Sequence, residues 1–424
     1  MKHLDLTQDR SARIERRDIS GGPVDVVRGI ICDVQERGDE ALFELTQRFD
    51  GAKLDSLIVT TEEIDAAFAN TQEATIEALR EMKSRIALFA EHQALKPWRA
   101  EVGGGIVGEV VSPVRTAGIY VPGGRAVYPS SVLMGAVPAK VAGVARVVLC
   151  VPPAADGSVP DATLAAARIA EVTDVFKVGG AQAIAAMAFG TETIPKVDVI
   201  AGPGNIYVAL AKREVSGTVG IDAVAGPSEI AIVADGSADP SMIAIDIIAQ
   251  AEHGPDGAFC LVTWSKDLAA DFERVLENML DELSASDHLR SAVNEGTTVA
   301  IVKDLEQAVQ VINDFAPEHL ELIFEGASGT EALFGYAGAI FIGQYSPVPL
   351  GDYMAGTNHV LPTAGAAAWA SGLRASHFQK TSAVIEHSKH SLERAASHIE
   401  QLASVEGLPI HHEAVKRRSP DVLQ

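Results

Sequence analysis

The sequence predicts an α/β protein whose sheets are mainly parallel. Two observations carry that expectation. Short apolar runs such as residues 147–151 (Val-Val-Leu-Cys-Val) and 230–234 (Ile-Ala-Ile-Val-Ala) recur along the chain, and many segments between them place apolar residues at helical spacing. Breakers such as Pro152-Pro153, Gly179-Gly180 and Gly202-Pro203-Gly204 close several runs just before the next helical stretch. That alternation is the pattern of βαβ units.

Residues 27–49 and 61–92 carry helical periodicity, the second with Glu62 and Glu63 near its start, where the helix dipole favours acids. Residues 106–121 read as extended and end in Gly118-Ile119-Tyr120-Val121. After Pro122-Gly123-Gly124 a helix begins near Ser131, then the strand 147–151 follows. The next unit is a helix near 161–172, a strand at 175–178, and Gly179-Gly180 opening a helix over 182–189. The apolar stretch 197–200 leads into Ala201-Gly202-Pro203-Gly204-Asn205 and another helix. Residues 230–234, 259–263, 298–301 and 339–342 read as strands of a second set. From about Ser382 the tail reads as helical and charged, a candidate for packing on a partner subunit. The chain has no internal sequence repeat and no low-complexity tract.

With 424 residues the chain can bury large cores and form two or more domains. Its 47% hydrophobic and 21% charged residues describe an ordinary globular protein. A net charge of −23 offers no basic face to phosphates and argues against a general nucleic-acid binder. It fits a soluble cytoplasmic protein. Cys32, Cys150 and Cys260 include no CxxC pair, and the last two lie in apolar runs, so they read as buried small hydrophobes. The absence of a disulfide framework suits a reducing compartment. Residues 1–5 begin a polar segment without a signal-peptide core. The most apolar region, 132–151, contains Pro138, Lys140 and Arg146 and is not read as a membrane span.

Two clusters bear chemistry. In Ala249-Gln250-Ala251-Glu252-His253-Gly254, Gln250 and His253 are three apart, so on a helix they share a face and could grip one ion. Pro317-Glu318-His319-Leu320 sets an acid beside an imidazole. Flanking Phe315, Leu320, Leu322 and Ile323 make it a short polar break in an apolar region rather than an accident of the surface. One decoy is present. Gly103-Gly104-Gly105-Ile106-Val107-Gly108 satisfies GxGxxG, but no strand precedes it and an extended segment follows, so it reads as a turn. Better dinucleotide turns are 120–124, 179–182 and 202–205, each following an apolar run, because open α/β sheets gather ligands at strand C-termini.

These loops, with the two clusters and Ala225-Gly226-Pro227-Ser228-Glu229, resemble the histidinol dehydrogenase family. So do Gly351-Asp352-Tyr353-Met354-Ala355-Gly356-Thr357-Asn358-His359-Val360-Leu361-Pro362-Thr363 and Glu406-Gly407-Leu408-Pro409-Ile410-His411, in the family's order over nearly the whole chain. The resemblance implies a zinc-dependent homodimer that oxidises L-histidinol to L-histidine in two NAD-linked steps. Carried over residue by residue, it makes Gln250, His253, Asp352 and His411 the zinc ligands, His411 coming from the partner's tail. NAD would touch Tyr120, Gln182 and Asn205. Ser228, Glu318, His319 and Glu406 would line the substrate pocket together with the metal ligands.

The chemistry assigns roles to the adjacent pair. Alcohol oxidation needs a base for the hydroxyl proton as hydride leaves, which suits His319. Oxidising the aldehyde further needs water added to the carbonyl, which suits Glu318. The donor set is one amide, two imidazoles and one carboxylate, a borderline-to-hard mixture. On this reading zinc holds the substrate and does not drive hydride transfer as a Lewis acid. Gln is a rare ligand, and Gln250 could instead orient the site through a hydrogen bond. His359 and His412 are alternative ligands, while His377, His387, His390 and His398 read as residues of a solvated face.

Departures from the family pattern, His377-Phe378-Gln379-Lys380-Thr381 and Phe89-Ala90-Glu91-His92-Gln93, remove no proposed ligand or catalytic group. They leave room for a paralogue that oxidises another small polar alcohol, such as a sulfonated diol. A zinc hydrolase with Glu318 or Glu252 activating water, and a non-catalytic metal-binding protein, are the readings from other classes. The expected architecture is two incomplete Rossmann-like parallel-sheet domains, one inserted in the other, with helical N- and C-terminal extensions. Its boundaries are 1–25 for the N-terminal extension, 26–110 with 230–372 for the metal and catalytic domain, 111–229 for the NAD-contacting insert, and 373–424 for the tail.

Overall fold

The apolar runs become strands because helices cover both faces of the sheets they form, so every position can be apolar. In the computed structural model, which describes residues 1–8, 13–16, 22–123, 127–224 and 226–418, fourteen strands are present among the described residues. In chain order they are β1 (Lys2–Asp5), β2 (Trp98–Val102), β3 (Gly105–Pro113), β4 (Thr116–Tyr120), β5 (Arg146–Val151), β6 (Asp174–Lys177) and β7 (Val199–Ala201). They continue as β8 (Gly220–Ile221), β9 (Glu229–Ala234), β10 (Ala258–Thr263), β11 (Thr297–Ile301), β12 (His319–Ile323), β13 (Ala339–Ile342) and β14 (Gln379–Glu386). Gly124, Ala225 and residues 419–424, all named above, lie outside the described residues.

The chain forms two units, Met1–Gln93 with Val114–Phe378, and Ala94–Pro113 with Gln379–Gln424. The first holds two wholly parallel sheets, ordered β6-β5-β4-β7-β8 and β1-β11-β10-β9-β12-β13. Counting from β4 in one and β9 in the other, both read third-second-first-fourth-fifth. This is the Rossmann winding without its sixth strand. Strands β4–β8 lie in the chain between β1 and β9, so one Rossmann-like sheet is inserted in the other, as expected. Alternate residues of β9 face opposite cores: Ile230 and Ile232 one, Ala231 and Val233 the other.

Several elements differ from the sequence reading. The helix expected over 27–49 is two, Val24–Arg37 and Asp39–Asp50. Gly38 at φ 54° breaks it, and the Glu192 carboxylate accepts the freed Asp39 N–H at 2.9 Å. The stretch 61–92 likewise divides into Thr61–Asn70, begun by a Thr60–Glu63 capping box, and Glu73–Gln93. The N-terminus opens with a strand rather than a helix, since β1 pairs with β11 at the sheet edge. Strand β12 starts on His319, where a polar break was expected.

In the second unit β14 pairs along its whole length with β3, so residues 382–386 are extended rather than helical. The helices Lys389–Val405 and Pro409–Lys416 follow. The GxGxxG decoy is the β2–β3 turn, with Gly103 and Gly104 at φ 62° and 80° as a tight hairpin requires. Among the described residues, no helix is long and apolar enough to cross a membrane.

Candidate active site

The register of β12 beside β9 puts His319 opposite Ile230, so the Glu229 peptide runs alongside Glu318 and His319. Glu229 then holds both groups with its own backbone. Its N–H donates to Glu318 Oε2 at 2.8 Å, and His319 Nδ1–H donates to its carbonyl at 2.9 Å. A carbonyl only accepts, so the neutral ring carries its proton on Nδ1 and keeps the Nε2 lone pair for chemistry. Both residues are buried, Glu318 at 7% and His319 at 4% exposure. Burial opposes charge on the ring, but the carboxylates of Glu318 and Asp352 and the Glu229 carbonyl outweigh it and raise His319 to about 9.

The strand that carries His319 also carries a buried acid that sequence reasoning missed, Glu321. It lies two residues beyond His319 on the same face of β12. Its Oε1 accepts from Val348 N–H at the start of the helix Val348–Tyr353, and its carboxyl lies against that of Asp246 on the helix Pro240–Ala251. Burial and the facing acid push Glu321 well above the usual carboxylate range, and burial raises Asp246. Along the chain Gln250 is one helical turn beyond Asp246, Asp352 is one turn beyond Val348, and His319 is two residues before Glu321.

Glu318, His319 and the Glu229 peptide stand at the amino edge of the six-stranded sheet, where β12 and β9 begin. Asp352 is near enough to His319 and His359 for its charge to act on both rings. His253 lies in the turn closing the Gln250 helix, its N–H on the Gln250 carbonyl at 3.3 Å. Among the described residues the side chains of Gln250, His253 and Asp352 make no hydrogen bond or ion pair, although Gln250 is buried. A buried amide, an imidazole and a carboxylate with free lone pairs fit a borderline cation. Among the described residues no three His, Cys, Asp or Glu side chains form a metal cluster. One proposed ligand is an amide and another, His411, belongs to the second unit.

The alternative ligands have other tasks. His359 donates Nδ1–H to the Asp352 carbonyl at 3.2 Å, and its Nε2 meets Ser131 Oγ at 3.2 Å. Burial lowers its pKa despite the nearby Asp352 charge, consistent with a neutral ring that supports the Asp352 loop. In the second unit His412 is partly buried and lies 3.6 Å from Glu400, whereas His411 and Glu406 are exposed. His377 is not on a solvated face, because its Nδ1 accepts from Arg374 N–H at 3.2 Å and burial lowers its pKa. Ser228 is half-buried just before β9.

At the five-stranded sheet the expected dinucleotide loops follow β4, β6 and β7. Strand order reverses between β4 and β7, and the crevice beyond such a reversal is where nucleotides bind. Tyr120 and Gln182 are buried beneath this edge, and the Tyr120 hydroxyl accepts from Gly180 N–H at 3.1 Å. Asn205 is exposed, and its Oδ1 caps the helix Ile206–Val215 by accepting from Tyr207 and Val208 N–H. Of the three expected contacts, only Asn205 is open to solvent. Gly202 (φ 126°) is the residue the loop cannot replace, since a Cβ there would lie 2.0 Å from the Tyr120 carbonyl. A buried ion pair, Lys212–Asp222, also grips Gly202. Lys212 donates to its carbonyl at 3.0 Å and Asp222 accepts its N–H at 2.8 Å.

Comparison with known proteins agrees with this architecture. The sequence profile of histidinol dehydrogenase matches residues 15–419. A histidinol dehydrogenase of Synechococcus sp. is 49% identical over 400 residues, 92% of this chain and 91% of the relative. One from Methanothermobacter thermautotrophicus is 45% identical over 411 residues, 97% and 96% of the two chains. The crystal structure of histidinol dehydrogenase from Elizabethkingia anophelis superposes with a TM-score of 0.94 at 33% identity, covering 100% of this chain and 99% of that one. The ordered sequence motifs, the two Rossmann-like sheets and these matches agree, and the chain belongs to the histidinol dehydrogenase family of oxidoreductase enzymes.

Proposed function

We propose that the chain oxidises L-histidinol through L-histidinal to L-histidine, reducing two NAD, as a cytoplasmic homodimer of histidine biosynthesis. The observation that carries this reading is the Glu229 peptide, which holds an acid and an imidazole side by side and fixes the imidazole tautomer. Gln250, His253, Asp352 and the partner's His411 would hold one zinc, with Ser228 and Glu406 completing the substrate shell. Zinc would anchor the substrate, and NAD, bound along Tyr120, Gln182 and Asn205, would accept the hydride. In this reading the sheet β4–β8 serves the dinucleotide and the sheet built on β9–β13 serves metal and substrate.

His319, raised to about 9, has Nε2 free once the ring gives up its second proton as pH approaches that value, and in this form it takes the hydroxyl proton in the alcohol step. Glu318 keeps one carboxylate oxygen clear of the Glu229 N–H and takes a proton from the water that adds to the aldehyde. Burial of both residues limits the access of bulk water to the reacting groups.

The test is NADH formation from L-histidinol and from L-histidinal, with a dihydroxypropane-sulfonate control. Two NADH per histidinol are expected. His319→Asn should lose the alcohol step, and Glu318→Gln should mainly lose the aldehyde step, each by about 10²–10⁴-fold in kcat. Normal histidinal oxidation by Glu318→Gln would refute the role given to Glu318, and turnover of the control alone would refute the substrate.

A further inference from the structure

Arg16 and the Glu229 carboxylate have no part in the chemistry above, yet they are built into the support of the Glu318–His319 pair. Arg16 Nε donates to Glu229 Oε1 at 2.7 Å, and its Nη2 donates to the Ala316 carbonyl at 3.1 Å. The guanidinium lies 3.9 Å above the Phe315 ring. Glu229 Oε1 also accepts the Ala364 N–H at 3.1 Å. The Glu229 side chain is 4% exposed and that of Arg16 is 22% exposed, so the ion pair is largely screened from water.

The three peptides tied here surround the site. Glu229 is the residue whose backbone holds both catalytic groups. Ala316 stands two residues before Glu318, and Ala364 directly follows the loop that carries Asp352 and His359. Both alanines adopt left-handed backbone, at φ 46° and 55°. Alanine takes that conformation only where its surroundings hold it. One ion pair thus fixes two strained peptides and the peptide that orients the acid and the imidazole.

We propose that Arg16 and the Glu229 carboxylate form a positioning pair that sets the geometry of Glu318 and His319 for both oxidation steps. The inference rests on the catalytic assignment made above. An arginine is needed because a planar fork serves two acceptors and stacks on a ring at once, which a lysine ammonium cannot do.

The experiment compares Arg16→Ala, Arg16→Lys, Glu318→Gln and His319→Asn in the full-length, zinc-loaded protein, reading kcat and KM on histidinol and histidinal together with the melting temperature. Misplacing the pair by a fraction of an ångström should lower the kcat of Arg16→Ala by about tenfold to a hundredfold on both substrates. KM should stay within about twofold, because substrate anchoring is untouched. Millimolar guanidinium should restore much of the lost kcat in Arg16→Ala without accelerating the parent. Parental kcat in folded Arg16→Ala would overturn the inference, and so would a loss that guanidinium does not restore. Should Arg16→Ala fail to fold, Arg16→Lys decides, an intermediate kcat supporting the pair and a parental kcat refuting it. Full activity in Glu318→Gln and His319→Asn would overturn the catalytic assignment and the positioning pair with it. Loss in those two beside a fully active Arg16→Ala would overturn the positioning pair alone.

Discussion

Replacing Lys212 by Met should both destabilise the protein and weaken NAD binding. The ammonium and the Asp222 carboxylate are each 2% exposed, and together they hold the two polar groups of Gly202. Methionine keeps most of the volume of the stem but leaves a buried carboxylate without its cation and the Gly202 carbonyl without its donor. Breaking a buried pair in this way costs about 3–5 kcal/mol. With an unfolding entropy of about 2.1 cal/mol/K per residue over the chain, that is roughly 3–6 °C in melting temperature. The Gly202–Asn205 loop loses its clamp, so KM for NAD should rise about tenfold while kcat at saturating NAD changes little. Differential scanning fluorimetry and steady-state kinetics read both effects. The double variant Lys212→Met with Asp222→Leu removes both charges and should recover most of the stability, because an apolar replacement of a buried pair is near neutral. A loss below about 1 kcal/mol in the single variant, or a double variant no more stable than the single, would refute this account of the loop.

Three further outcomes follow from the same geometry. Asp50 ends the helix Asp39–Asp50 with Oδ2 buried and without a hydrogen-bond partner among the described residues, and burial raises its pKa from 3.8 to about 6. Its folded pKa lies above the unfolded one, so its contribution to stability is present below about pH 4 and is lost as pH rises through about 6. Asp50→Asn should therefore match the parent near pH 4 and be more stable by about 1–3 kcal/mol at pH 8, the range reflecting partial solvent screening; a pH-independent difference in melting temperature would contradict this. His359→Asn should still bind one zinc per chain, since the ring supports the Asp352 carbonyl, whereas His253→Asn and Asp352→Asn should bind less; metal analysis of the purified variants decides. Chelation should abolish turnover and lower the melting temperature, with both restored by added zinc, because a ligand that binds only the folded state stabilises it. An unchanged melting temperature would count against zinc as a bound cofactor.

The residues themselves made much of the fold legible. Runs such as 147–151 and 230–234 are apolar at every position because their strands are covered on both faces, and that pattern survives any change of partner. Less was legible where a strand carries polar residues. The His319 and Glu321 alternation on β12 is the available signal, two polar side chains at i and i+2 in an apolar run, which by local pattern alone looks like an interruption. Residues 382–386 carry no strand signal of their own because β14 is mostly exposed and only pairing with β3 makes it extended.

Fold class, family and the candidate ligands and catalytic pair are legible in the residues alone, because they depend on local periodicity and on ordered motifs. That both sheets wind in the same order without an internal sequence repeat, and that the candidate catalytic pair stands at the amino edge of one while the expected dinucleotide loops follow strand ends of the other, came from the folded chain. It alone brought Arg16 to Glu229, and Glu229 to Glu318 and His319, residues separated by 213, 89 and 90 positions. Such contacts come from strand order and register, which hydrogen bonding between distant segments fixes and no local pattern encodes.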